Sequence, residues 1–137
     1  MTMLSNDAIQ SSIVAYLKSV TTITAKIVST EIREDQWQGR DFVYPNIRVR
    51  MISNNPKEPH CGLSNISLSI MVFTEDASSH NADEIAGIIN NAIHGKSFTS
   101  SGINLGLRTT NLVPAYRSDE RTWRSEVLIS GLAMTMI

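Results

Sequence analysis

Residues 63–75, "LSNISLSIMVFTE", constrain the fold more than any other stretch. Ile66, Leu68, Ile70 and Val72 fall at every second position, and Ser67, Ser69, Met71 and Phe73 fall between them. A period of two puts the two sets on opposite faces of an extended chain. A second alternating stretch lies upstream. In "VYPNIRVRM", residues 43–51, Ile47, Val49 and Met51 point one way and Arg48 and Arg50 the other. The expected strand covers about 44–53. Between the two strands, "NNPKEPHCG" holds two prolines and a glycine, which is the composition of a loop. Two strands joined by such a loop predict an antiparallel hairpin.

Helical spacing appears twice. Ile9, Ile13, Tyr16, Leu17 and Val20 predict a helix over 6–19, with Ser5 or Asn6 as its cap and Asp7 at the positive end of its dipole. The β-branched run "SVTTITAKIVSTEI" predicts that this helix stops and that a strand begins near Ala25. In "NADEIAGIINNAIHG", Ala82, Ile85, Ala86, Ile89, Ala92 and Ile93 form one apolar stripe. Asn81 and Glu84 have capping-box spacing, and Gly95 stands where a left-handed cap glycine belongs. Gly87 weakens the middle of that helix by roughly 1 kcal/mol relative to alanine. The last third reads as a strand "INLGLRTTNLVPAY", a polar turn "RSDER", and a long final strand "TWRSEVLISGLAMTMI". The expected order is α-β-β-β-α-β-β over one domain, 1–137. The fold class is α+β, a mainly antiparallel (mixed) β-sheet with two helices packed on one face.

Composition narrows the function classes. Twelve basic and thirteen acidic residues leave a net charge of −1, without the basic excess of a general nucleic-acid binder. Cys61 is the single cysteine, so no intrachain disulfide can form. The N-terminal "MTMLSNDAIQ" lacks the basic and apolar regions of a signal peptide, and no apolar run approaches the ~20 residues of a membrane span. A soluble protein of a reducing cytoplasm is expected. Eight arginines outnumber four lysines, a bias toward the cation that protein interfaces prefer.

The search for chemistry names no catalytic, cofactor-binding or metal-binding residue. His60 and Cys61 are adjacent but have no partner at ligand spacing. His80, Glu84 and His94 lie along one side of the second helix, where an ordinary surface explains them. No serine sits in GxSxG, and no glycine-rich phosphate or dinucleotide loop is present. Two features remain. The sheet carries apolar side chains on both faces, near "VLISGLAMTMI" and at Met71 and Phe73, whereas two helices cover only one face. Two stretches also set a tryptophan among charges: "REDQWQGRDF", with Arg33, Trp37 and Arg40, and "YRSDERTWR", with Arg117, Arg121, Trp123 and Arg124. Tryptophan beside arginine is typical of an interface anchor. A thick core and tryptophans folded back on their own domain are the bland counterparts of these two readings.

The order of elements resembles the tail-terminator (tail-completion) proteins of long-tailed bacteriophages. The resemblance runs through the helix "DAIQSSIVAYL", the Tyr-Pro strand "YPNIRVRM", the serine-rich strand "NISLSIMVF", the helix "ADEIAGIINNAIHGKSF" and the closing "YRSDERTWRSEVLISGLAM". It covers nearly the whole chain. It implies a function without chemistry or cofactor. Six copies would close into a ring on the last layer of the tail tube, stop its growth, and offer a surface to the head connector. The implied partners are further copies of the chain, the tail tube protein and the connector, with DNA passing through the lumen and no membrane involved. The implied location is the tail or neck of a virion assembled in the host cytoplasm. A closed ring needs two different patches on each subunit. The two tryptophan stretches are candidates for them. Arg48 and Arg50 would face a neighbour, the lumen or water, and Asp83 and Glu84 would be their cross-subunit partners. A different virion protein, such as a head–tail adaptor or tube subunit, is one rival. A small ligand-binding or enzymatic α+β domain is another, and a nucleic-acid binder the third.

Overall fold

The computed structural model describes residues 5–35, 43–57, 62–76, 78–117 and 122–135. Helix α1 (Asn6–Ser19) opens the fold, capped by the Ser5 hydroxyl, which accepts from the Ala8 N–H at 3.1 Å. A one-turn helix α2 (Thr21–Thr24) and a 3-10 turn (Ser29–Glu31) follow. Then come β1 (Ile32–Glu34), β2 (Asn46–Pro56), β3 (Leu63–Thr74), α3 (His80–Ile93), β4 (Lys96–Ser100), β5 (Ile103–Arg117) and β6 (Trp123–Thr135). The strands make one sheet in the order β1-β2-β3-β6-β5-β4. Among the described residues, the β1–β2 pair is parallel and the other pairs are antiparallel. The α+β class and the mixed, mainly antiparallel sheet are as expected.

The core lies between the sheet and the helices. Ile9, Ile13 and Leu17 of α1 and Ile85, Ile89 and Ile93 of α3 are fully or almost fully buried. They meet Ile47 and Val49 of β2, the Ile66 to Val72 set of β3, and Val127, Ile129 and Ala133 of β6. Both alternating strands therefore turn the predicted face inward. The C-terminal glycine is also where the stripe requires it: Gly95 has φ +71°, directly after the end of α3.

Four local expectations need correction. The β-branched run near Ala25 does not form a strand. It makes α2 and turns, because burial of Ile23 and Ile27 in the core outweighs a strand preference of under about 1 kcal/mol. The Asn81–Glu84 capping box does not form. Helix α3 starts at His80, Asn81 donates to Asp76, and Glu84 turns to Lys26 and His80. Strand β4 was not expected at all; Phe98 anchors it by stacking on Tyr16 of α1 at 3.7 Å between ring centroids. Lastly, β2 does not end at residue 53. A bulge between Met51 and Ser53 ejects Ile52 toward solvent, and the ladder resumes to Pro56. Proline is tolerated there because, among the described residues, β1 pairs only with 47–49 and no strand pairs with β2 at Pro56 on that side.

Candidate interaction surface

The helices cover one side of the sheet, and the opposite side carries the open question. Register places Arg48 beside Met71, Met71 beside Glu126, and Phe73 beside Arg124. All five stand on the face away from α1 and α3. The Arg48 guanidinium lies 4.1 Å from the centroid of the Phe73 ring, and that of Arg124 lies 5.7 Å from it. Arg124 also donates to Glu126 Oε1 at 3.2 Å and approaches the Met71 sulfur at 3.2 Å. The Ser69 hydroxyl donates to Glu126 Oε2 at 2.7 Å. Two arginine side chains thus lie against Phe73 and Met71, which no described helix covers. A cation over an aromatic face is worth about 0.5–1 kcal/mol where water still reaches it.

The same face turns serine-rich toward the other end of the strands. Ser53, Ser67, Ser130 and Arg108 stand side by side across β2, β3, β6 and β5. They belong to an open hollow of about 640 Å³ that crosses five strands. Its floor depends on glycine. A Cβ at Gly131 would overlap the Gly106 carbonyl oxygen and come within 3.0 Å of Leu107 Cα, so β5 and β6 approach here as no alanine would allow. Gly106 itself has open space where a side chain would stand. Lys57, Lys96 and Arg108 line the hollow.

The remaining sequence candidates are dispersed. Arg33 is internal: it is paired with Glu31 through two contacts of 2.9 and 3.0 Å, and both residues are buried. Glu31 in turn accepts from the Val43 N–H at 2.8 Å, which pins the start of the segment leading into β2. Asp83 accepts from the Ala115 N–H at 2.8 Å. That N–H lies in the stretch where the β5–β6 register shifts next to Pro114, which has no N–H of its own. Glu84 is held by Lys26 at 2.9 Å and lies 3.3 Å from His80. Hydrogen bonding and the charge of Lys26, then His80, hold its carboxyl below the usual range. Arg117 lies 5.0 Å over the Trp123 ring, and the Trp123 indole donates to the Asp76 carbonyl at 3.0 Å. Arg50 is exposed on the open face. Trp37, Arg40 and Arg121, with His60 and Cys61, lie outside the described residues. His94 is structural in its geometry, its Nδ1 accepting from the Thr109 N–H at 2.9 Å. Among the described residues, no three His, Cys, Asp or Glu side chains gather closely enough to hold a metal ion, and no helix is long and apolar enough to cross a membrane.

Fold and surface together define an α+β chain with one face of its sheet buried and the other open, lined by arginine, aromatic and serine side chains. No protein-family model and no curated protein matches the sequence. A solved structure shares the fold. A chain of the "Virion of native gene transfer agent (GTA) particle" superposes with a TM-score of 0.73, covering 91% of this chain and 93% of that chain at 17% sequence identity.

Proposed function

We propose that this chain is a structural protein of a phage-like virion, and that, as its resemblance to tail terminators implies, it acts as one subunit of a six-membered ring that ends tail-tube growth and joins tail to head connector. The observation that carries this reading is the fold likeness to a chain of a gene transfer agent virion, which runs through nearly the whole length of both chains. The open sheet face supports it, since arginine, aromatic and methionine side chains are enriched where proteins meet. The role is one of assembly, without a catalytic step. Arg48, Arg50 and Arg124 on the open face, and Arg117 and Trp123 at the end of β5 and β6, are the contact candidates it uses. DNA passes the ring without sequence-specific contact.

Electron microscopy of particles assembled without this protein tests the reading. Overlong tails detached from heads are expected. Tails of ordinary length lacking heads would point to a head–tail adaptor, and intact infectious particles would overturn the proposal.

A further inference from the structure

The hollow on the open sheet face is unlike the rest of the surface. Lys57 and Arg108 stand toward its two sides, Lys96 borders it from the end of β4 opposite the core residue Leu107, and no carboxylate occurs among the described residues that line it. None of the three cations is in an ion pair with a described residue. Small hydroxyl side chains, Ser67 and Ser130 among them, supply further donors on the floor. Two such cations over a hydroxyl floor, with the third at its border, suit a ligand rich in anionic oxygens.

The chain itself carries such a ligand. Glu75 and Asp76 are adjacent and exposed, directly after β3 ends at Thr74. Neither is in an ion pair with a described residue; the Asp76 carboxylate accepts from the neutral Asn81 amide at 3.0 Å, and its backbone carbonyl from the Trp123 indole. They cannot reach their own hollow. Ser67 and Glu75 lie on one extended strand and its end, so they stand roughly 25 Å apart at about 3.3 Å per residue. We infer that the Glu75–Asp76 turn of one copy docks in the Lys57–Lys96–Arg108 hollow of the next. The patches differ and sit at opposite ends of β3, as a head-to-tail ring requires. The inference rests on the ring reading above and assigns its contact.

A charge-swap mixing experiment tests it. One variant carries Lys57→Glu, Lys96→Glu and Arg108→Glu, and the other carries Glu75→Lys and Asp76→Lys. All five positions are exposed or at the sheet surface, so each variant is expected to melt like the native chain. Each alone meets like charge at every contact, and the concentration needed for assembly should rise at least about a hundredfold. Mixed in equal amounts, the two variants meet opposite charge at every contact of an alternating ring, and assembly measured by sedimentation should return. Variants that each assemble as the native chain does, or a mixture that stays monomeric while the native chain forms rings, would overturn the docking and leave the ring reading standing. A native chain that stays monomeric at every concentration, with no ring in particles, would overturn both. Loss of binding to a short DNA duplex by the hollow variant, with its self-assembly intact, would reassign the hollow to nucleic acid and overturn the docking.

Discussion

Arg48 spreads its guanidinium 4.1 Å above the ring of Phe73, on the side of the sheet that neither long helix reaches. The two residues sit on adjacent strands, Phe73 two residues beyond the Arg48–Met71 pair on the same face. Phe73 is 8% exposed and Met71 4%, although among the described residues no helix or second sheet covers them. The shielding comes from charged side chains lying flat, their methylene stems covering apolar surface. Arg48→Ala should therefore cost about 1 kcal/mol and expose Phe73. A double-mutant cycle with Phe73→Leu in urea denaturation checks this. Additive effects of the two substitutions would show that the stacking contributes nothing.

The Glu31–Arg33 pair should behave differently. Both side chains are buried, so removing Arg33 takes the paired cation from a buried carboxylate that keeps its bond from the Val43 N–H. Arg33→Met is expected to cost about 3–5 kcal/mol. Arg33→Met combined with Glu31→Gln should recover part of that loss in the same denaturation assay. A single variant within about 0.5 kcal/mol of the native chain would contradict the burial.

Ile89 is fully buried in the middle of the α3 stripe. Ile89→Asp places a carboxylate there at a cost of several kcal/mol, against a total stability of about 5–15 kcal/mol. The variant should be largely unfolded by circular dichroism. A soluble protein with a native melting temperature would refute the packing of α3.

Gly131→Ala adds one methyl group against the backbone of β5, and backbone at Gly106 and Leu107 cannot swing aside as a side chain would. A loss of about 1–3 kcal/mol is expected, read from thermal melting, together with shifts of the β5 and β6 amide signals. Gly106→Ala, which enters open space, serves as the control and should change the melting temperature little.

Glu84 supplies the pH dependence. Its carboxyl is lowered from an ordinary value of 4.5 by the hydrogen bond and charge of Lys26, with a smaller contribution from His80. A lowered folded pKa means a contribution that is present above the ordinary carboxyl range and fades as pH falls through the folded value. Lys26→Met should move the Glu84 titration, followed by carboxyl-carbon NMR, back up toward 4.5. An unchanged titration would mean that Lys26 does not hold Glu84 in solution.

What the sequence determined by itself is whatever depends on a short repeat. The period of two in β3 and the stripe in α3 each put one face inward, and burial of Ile66, Leu68, Ile70, Val72, Ile85 and Ile89 follows from spacing alone. Gly95 was legible for a similar reason, since a helix must end in a conformation that glycine adopts most easily. Tertiary structure decided everything that needed a partner from elsewhere in the chain. The run near Ala25 became helical because Ile23 and Ile27 find the core that way. Arg33, Asp83 and Glu84 read as surface charges, yet they meet Glu31, the Ala115 N–H and Lys26. The hollow is the extreme case. Lys57, Lys96 and Arg108 share no local pattern, and only the order β2-β3-β6-β5-β4 brings them to one surface. Spacing along a chain reports which way a side chain points; what stands opposite it is set by strand order and register, which no local period encodes.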